Sequence, residues 1–165
     1  MKKSIVPLPK ADRAAIAVKT SPIHGKGVFA KKQINKGAAI IEYEGERISW
    51  KEAERRHPHD PLQPNHTFYF SLEDGRVIDA NHQGNAARWI NHSCKPNCEA
   101  QEEIYDGQPR VFIFAKRKLV PGEELFYDYA LDVEGRITKE MKKDYACRCG
   151  AKNCRGTMLA KRSKS

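Results

Sequence analysis

The sequence predicts a mainly β domain with long functional loops, and two observations carry this prediction. Short alternating or apolar runs of strand length recur along the chain and are separated by turns that contain Pro or Gly. Helical periodicity is confined to short segments, and no internal repeat is present. The 165 residues, of which 39% are hydrophobic, suffice for one buried core. No apolar stretch is long enough for a membrane-spanning helix, so we expect no membrane contact.

The first half of the chain predicts two strands and one helix. A strand is expected at Ile16–Thr20, and a second at 38–43, ending near Gly45. Ser49-Trp50-Lys51-Glu52 has the spacing of a capping box, which predicts a short helix over Trp50–Arg56. Prolines at 58, 61 and 64 exclude regular structure directly after it.

Turn dipeptides predict two β-hairpins in the second half. Segments 67–72 and 76–78 flank Asp74-Gly75, and segments 99–105 and 110–115 flank Asp106-Gly107. The remaining predicted elements are a short aromatic strand at 125–129 and a short helix at 138–144.

The net charge of +9 is unevenly distributed along the chain. Residues 1–35 carry +7, residues 36–135 carry −6, and residues 136–165 carry +8. Basic ends favour either solubility of loose tails or weak attachment to nucleic acid. The acidic middle is unsuited to DNA and suits a basic peptide. The N-terminus lacks the apolar core of a signal peptide, so we expect an intracellular protein, with export to a host nucleus left open.

Five cysteines indicate a metal rather than a disulfide framework, because their number is odd. Cys147, Cys149 and Cys154 form a C-x-C-x4-C pattern near the C-terminus. Zinc takes four thiolates in a tetrahedron, so a fourth ligand must come from Cys94 or Cys98. One zinc would then hold the C-terminal segment against a loop about fifty residues upstream. Reduced, unligated thiols are the alternative.

Three further segments combine residues that suit a ligand site. His24-Gly25-Lys26-Gly27 lets the backbone approach a ligand closely, because both glycines lack Cβ. Segment 88–94 places Asn91-His92 beside a candidate zinc ligand. Tyr127 and Tyr129 would point to the same face of an extended segment. The structural alternatives are a plain turn, an ordinary buried hydrogen bond and cross-strand aromatic packing.

Together these segments resemble the SET-domain protein lysine methyltransferases that carry a post-SET zinc segment, most closely the trithorax-like branch. The likeness spans roughly residues 15–160, in the family's order. It is carried by Ile23-His24-Gly25-Lys26-Gly27-Val28-Phe29, Gly84-Asn85 with segment 88–94, Pro96-Asn97-Cys98, Gly122-Glu123-Glu124-Leu125 with Tyr127-Asp128-Tyr129, and the C-x-C-x4-C pattern. No cysteine-rich segment precedes residue 15, so the resemblance is to a compact, single-module form.

This resemblance implies a SET fold of several small curved β-sheets with a C-terminal post-SET zinc segment. Asn91-His92 and the segment ending at Tyr129 would interlock in a pseudoknot. The implied organisation is a flexible leader at 1–13, the SET domain at 14–132, the post-SET segment at 143–160 and a basic tail at 161–165.

The resemblance also implies the ligands and the residues that hold them. S-adenosyl-L-methionine would be the cofactor and Zn²⁺ the metal. The implied cofactor-binding residues are His24, Gly25, Lys26, Gly27, Arg88, Asn91, His92, Tyr129 and Arg148. Tyr129 and Tyr127 would be catalytic, and Phe68, Phe70 and Tyr127 would line the substrate channel. The implied zinc ligands are Cys94, Cys147, Cys149 and Cys154, which leaves Cys98 as a packed thiol.

The implied reaction is methyl transfer to the ε-amine of a lysine in a basic chromatin-associated protein. The partner would be lysine-rich, such as a histone tail or a DNA-packing protein. Tyr127 implies monomethylation, whereas Phe68 stands where the family often has Tyr and implies further rounds, so mono- to dimethylation is predicted. The alternative function is a non-catalytic zinc-containing module that binds peptides or nucleic acid.

Overall fold

The computed structural model describes residues 8–22, 25–56 and 69–129, together with residues 152 and 154. Within these ranges the chain is mainly β, as predicted, with short strands and one short α-helix. The strands are β1 (Ile16–Thr20), β2 (Lys26–Ala30), β3 (Ala39–Glu42), β4 (Glu46–Ser49), β5 (Tyr69–Ser71), β6 (Arg76–Asp79), β7 (Asn91–His92), β8 (Cys98–Tyr105), β9 (Gln108–Ala115) and β10 (Phe126–Tyr127). Helix α1 is Trp50–Arg56, and 3-10 helices cover Arg13–Ala15 and Ala86–Trp89.

The described strands form four small sheets. Strands β1 and β2 pair with each other, β9 lies between β3 and β8, and β6 lies between β4 and β5, all antiparallel. The fourth sheet pairs β10 with β7 in parallel, with Phe126 opposite Asn91 and Tyr127 opposite His92. This parallel pair brings together the two segments that were predicted to interlock.

Both predicted hairpins are present. In the β8–β9 hairpin Tyr105 pairs with Gln108, and the intervening Asp106 and Gly107 have φ of 50° and 78°. Positive φ at both central residues defines a turn whose twist matches that of the strands, which explains the Asp-Gly dipeptide. In the β5–β6 hairpin the turn contains Gly75, whose φ is 91°.

Helix α1 has the predicted bounds, but only half of the predicted capping box forms. The backbone N–H of Glu52 donates to Ser49 Oγ at 3.1 Å, as expected of an N-cap. The Glu52 carboxylate instead accepts from Arg55 and Arg56. Arg56 also donates to Glu46 on β4 and to Asp79 on β6, so one guanidinium attaches the helix to the neighbouring sheet.

Several predicted boundaries were wrong. Strand β4 was not predicted, because Glu46–Ser49 contains a single apolar residue and forms by pairing with β6. Lys26-Gly27 was placed in a loop but lies in β2, paired with β1. The strand predicted at 125–129 is reduced to β10. The helix predicted at 138–144 lies outside the described residues.

The hydrophobic core lies among the sheets and underlies the β7–β10 pair. Its largest fully buried side chains are Tyr43, Ile40, Ile41, Ile78, Ile90, Ile113, Leu119, Leu125 and Val28, while Val77 packs with Ile48 and Ala53 in a separate small cluster. Ile90 directly precedes β7 and Leu125 directly precedes β10, so both short strands are fixed to the core by their neighbours. In the described part of the chain, no helix has the length and apolar character needed to cross a bilayer.

Candidate active site

Tyr127 and Tyr129, which were predicted to share a face, lie together beside the β7–β10 pair. Their ring centroids are 4.8 Å apart. Tyr127 is buried, and Tyr129, just beyond β10, is partly buried against the core. The hydroxyl of Tyr129 donates a hydrogen bond to the carbonyl oxygen of Ile90. Because this bond orients the hydroxyl hydrogen, the lone pairs of the phenol oxygen remain available to accept from a bound donor.

Tyr43 joins this aromatic group although no sequence pattern selected it. It is 2% exposed, and its ring centroid lies 5.4 Å from that of Phe70, a predicted channel residue. Among the described residues its buried hydroxyl has no hydrogen-bond partner. Burying an unpaired hydroxyl is unfavourable, so this group is suited to bonding a ligand. The available signal was a tyrosine at the end of the strand predicted at 38–43, two residues before Gly45.

Burial controls the ionisation of these three tyrosines. It raises the pKa of Tyr43, Tyr127 and Tyr129 above the ordinary phenol value, and neighbouring phenols add to the effect at Tyr43 and Tyr129. All three therefore stay protonated and uncharged at neutral and mildly alkaline pH. They can orient a substrate by hydrogen bonds and packing, but they do not serve as ionised general bases.

Glu124 connects Ser21, which lies between β1 and β2, to Asn91 of β7. Its carboxylate accepts from Ser21 Oγ at 2.9 and 3.0 Å and from Asn91 Nδ2 at 2.9 Å. Asn91 Nδ2 also donates to the carbonyl of Lys26 at 3.1 Å. Because both of these partners can only accept, the amide atom that faces them must be the nitrogen. Asn91 Oδ1 is then buried and has no hydrogen-bond partner among the described residues. Sequence reasoning missed Glu124, because nothing in the Glu123-Glu124 pair indicates which acid faces inward.

The predicted cofactor residues Lys26 and Arg88 both contact the ring of Trp89. Lys26 Nζ lies 4.9 Å and Arg88 Cζ 4.7 Å from ring centroids of this indole. Cations over an indole face are attracted by its quadrupole, which holds both side chains in place. At Gly25 nothing described lies within 4 Å of the position that a Cβ would occupy. As far as the described residues extend, the backbone there leaves space in which a ligand could approach it.

His92 and two predicted zinc ligands form a second cluster next to Tyr129. The backbone N–H of Tyr129 donates to His92 Nδ1 at 3.0 Å, and His92 Nε2 lies 3.5 Å from Cys94 Sγ. The sulfurs of Cys94 and Cys154, sixty residues apart in sequence, are separated by 4.0 Å. A disulfide would need about 2.05 Å, whereas two thiolates on one tetrahedral zinc lie about 3.8 Å apart.

Part of the predicted site lies outside the described residues: His24, Phe68, Cys147, Arg148 and Cys149. Among the residues that are described, no three His, Cys, Asp or Glu side chains, the cluster of His92 with the two cysteines included, are arranged to hold one metal ion. The structure does bring Lys26, Gly27, Asn91, His92 and Tyr129 into one connected network of backbone and side-chain contacts.

A cavity of about 290 Å³ lies next to this region. It is lined by Glu42, Tyr43, Glu44, Gly45, Arg47, Ile78, Gln83 and Arg110. Its charged side chains include the Glu42–Arg110 ion pair. The lining includes Tyr43 but none of the residues around Tyr129, so the cavity and the tyrosine group meet only at Tyr43.

The described strands thus form small separate sheets, and the parallel β7–β10 pair places His92 beside Tyr129. A family model described as the SET domain matches residues 25–130, and the chain belongs to this family. It is 40% identical over 148 residues to histone-lysine N-methyltransferase 2B of Homo sapiens, a match that covers 90% of this chain and 5% of the relative. It is 43% identical over 138 residues to histone-lysine N-methyltransferase trr of Drosophila melanogaster, covering 84% and 6%. For histone-lysine N-methyltransferase ASHH3 of Arabidopsis thaliana the identity is 41% over 141 residues, covering 85% and 37%. The chain thus spans a minor part of each of these relatives.

Proposed function

We propose that this protein transfers methyl groups from S-adenosyl-L-methionine to the ε-amine of a lysine in a histone or histone-like protein. One observation carries the proposal: the Tyr129 hydroxyl is oriented by the Ile90 carbonyl within a buried group of tyrosines, in a chain of the SET family. The relatives' names, which specify histone-lysine methylation, support the substrate class. A histone substrate also implies an intracellular site of action at chromatin.

The tyrosine group suits a lysine that must react as a neutral amine. A free lysine amine has a pKa of about 10.4, so most of it is charged in water. A narrow channel walled by Tyr43, Phe70 and Tyr127 would disfavour the ammonium form, because burial penalises charge. The oxygen of Tyr129, whose hydrogen is engaged by Ile90, would accept from an amine N–H and orient the nitrogen.

The residues around Asn91 fit the methyl donor. S-adenosyl-L-methionine supplies an activated methyl on a sulfonium and carries an ammonium group that needs acceptors. The unpartnered Asn91 Oδ1 is such an acceptor, and Glu124 and the Lys26 carbonyl fix its orientation. Open space at Gly25 would admit the ligand beside the backbone. The proposed cofactor-binding set remains His24, Gly25, Lys26, Gly27, Arg88, Asn91, His92, Tyr129 and Arg148.

The cysteines fit a structural zinc. The separation of 4.0 Å between the Cys94 and Cys154 sulfurs agrees with two ligands on one ion and supports Cys94 as the fourth ligand. Cys147 and Cys149 would complete the tetrahedron. Zn²⁺ would then hold the post-SET segment at 143–160 against the loop after β7, next to His92 and Tyr129. Under this proposal Cys98, which is fully buried, stays outside the metal centre.

The degree of methylation depends on Tyr127 and Phe68. A tyrosine hydroxyl beside the amine restricts space and favours one methyl group, whereas phenylalanine at 68 relaxes that limit. We therefore propose mono- to dimethylation. Mass spectrometry of the purified product tests this directly, and a mostly trimethylated product would refute it.

Transfer of labelled methyl groups to purified histones and other basic proteins tests the function. We expect incorporation that Tyr129→Phe reduces strongly, because the oxygen that orients the amine is lost. Tyr105→Phe is the control, since Tyr105 is a buried tyrosine that lies in the β8–β9 hairpin. Absence of transfer to every basic protein, with Tyr129→Phe without effect, would favour the non-catalytic binding module instead.

The basic ends support a second, weaker partner. A truncation after Leu159 removes the cluster Lys161-Arg162-Ser163-Lys164. If these charges contact nucleic acid, the truncated protein will bind DNA less tightly and with a shallower dependence on salt. An unchanged affinity and salt slope would assign the tail to solubility alone.

A further inference from the structure

His92 lies between the cysteine pair and Tyr129, and its ring contacts both. The imidazole is 2% exposed, within 3.0 Å of the Tyr129 backbone nitrogen at one ring nitrogen and 3.5 Å from Cys94 Sγ at the other. The ring of Tyr129 also packs edge-on against the imidazole, with centroids 5.3 Å apart. One side chain therefore contacts the backbone and the ring of Tyr129 together with a cysteine sulfur.

These contacts determine where the imidazole carries its proton. A backbone N–H can only donate, so Nδ1, which receives the Tyr129 N–H, must present its lone pair. A neutral imidazole then carries hydrogen on Nε2, the nitrogen that faces Cys94 Sγ. Asp128 Oδ1 is 3.6 Å from Nδ1, farther than the backbone nitrogen, and does not provide the competing hydrogen-bond geometry. His92 is thus an acceptor toward Tyr129 and a donor toward the sulfur.

We propose that His92 is a positioning residue that couples the state of the Cys94–Cys154 pair to the placement of Tyr129. An N–H donor stabilises a sulfur that carries negative charge, so His92 holds Cys94 most firmly when its thiolate is retained by the metal centre. Loss of that centre would release the Nε2 contact, let the imidazole rotate, and remove the acceptor that fixes the Tyr129 backbone. The effect on catalysis rests on the proposed function, whereas the hydrogen-bond linkage does not.

Two substitutions test the two hydrogen bonds of His92 separately. His92→Asn places an amide oxygen near the position of Nδ1, so it keeps an acceptor for Tyr129 and loses the donor to Cys94. His92→Gln places its amide nitrogen near Nε2, so it keeps the donor to Cys94 and loses the acceptor. His82→Asn is the control, because His82 is 60% exposed. The full-length, zinc-loaded protein is used throughout.

The first measurement is the ¹⁵N NMR spectrum of the His92 side chain in the unsubstituted protein. We expect a protonated Nε2 and an unprotonated Nδ1, and the opposite tautomer would overturn the proposal. The second is the Tyr129 amide resonance during zinc removal by a chelator. It should shift in the unsubstituted protein and in His82→Asn, and stay nearly unchanged in His92→Asn. Equal shifts in all three proteins would also overturn the proposal.

The third measurement is the rate at which zinc transfers to a chromogenic chelator. Loss of one hydrogen bond to a sulfur corresponds to about a fivefold change, so His92→Asn should release zinc about fivefold faster than His92→Gln. In methyl transfer, His92→Gln should lower kcat more than it changes the KM for the lysine substrate, because the contacts to the lysine substrate remain. Similar release rates for the two variants would refute the link. Because the spectra and release rates need no methyl transfer, an inactive protein would refute the proposed function and leave these results decisive for His92.

Discussion

Gly27→Ala tests whether the Glu124 carboxylate holds Ser21 and the neighbouring strand β2 against Asn91 of β7. Gly27 lies within β2 with ordinary strand backbone, so alanine is acceptable to the main chain. A Cβ at this position would lie 2.4 Å from Glu124 Oε2 and 3.0 Å from Ser21 Cβ. Contacts this short force the carboxylate away from Ser21 and Asn91, which now donate to it at 2.9–3.0 Å.

The expected change in the free energy of unfolding follows from these contacts. Overpacking costs about 1–3 kcal/mol, and each weakened bond to a charged group adds about 1.5–3 kcal/mol when it is fully lost. The lower backbone entropy of alanine in the unfolded chain offsets about 0.5–1 kcal/mol. We therefore expect Gly27→Ala to reduce the free energy of unfolding by about 3 kcal/mol, since the carboxylate can keep part of its bonding.

A double-mutant cycle measured by urea unfolding provides the assay. Glu124→Ala removes the carboxylate, so Gly27→Ala introduced into that background should cost less than about 1 kcal/mol. Binding of S-adenosyl-L-methionine, measured by titration calorimetry, should weaken with Gly27→Ala and with Glu124→Ala, because both disturb one of the two acceptors that orient the Asn91 amide. An equal loss of stability from Gly27→Ala in both backgrounds would show that Glu124 is not the group displaced, and the reasoning would fail.

Three further predictions concern α1, the core and the cysteines. Arg56→Leu should lower the melting temperature far more than Arg55→Leu, because Arg56 pairs with the buried Asp79 whereas Arg55 is 72% exposed. Equal decreases in melting temperature for the two variants would contradict this. Burial raises the pKa of the Cys98 thiol to about 12, so ionisation of this thiol near pH 9 favours the unfolded chain. Between pH 8 and 10 the free energy of unfolding should therefore fall by about 1.4 kcal/mol more in the unsubstituted protein than in Cys98→Ala, and equal losses measured by urea unfolding would refute it. Cys154→Ser, or chelation of zinc, should abolish cofactor binding measured by calorimetry while Cys98→Ala retains it, and retained affinity without zinc would count against the proposed clamp.

Local patterns predicted most of the secondary structure, because the interactions that form these elements are close in sequence. Both residues of Asp106-Gly107 have positive φ, whereas in Asp74-Gly75 only the glycine does, and both hairpins form where these dipeptides stand. The Ser49 cap and the bounds of α1 likewise depend on residues three apart. Strand β4 could not be predicted this way, since it is held by pairing with β6 almost thirty residues later.

The sequence by itself determined the types of chemical group in the candidate site, including Asn91, His92, Tyr127 and Tyr129, because spacing and a family resemblance select residues without coordinates. Only the tertiary structure decided how these groups are used. It left the Tyr43 hydroxyl and Asn91 Oδ1 buried without described partners and turned Glu124 inward. It also placed His92 between a tyrosine amide and a cysteine sulfur. Burial and hydrogen-bond direction depend on every segment packed around a group, and contacts between segments dozens of residues apart leave no periodic signal in the chain.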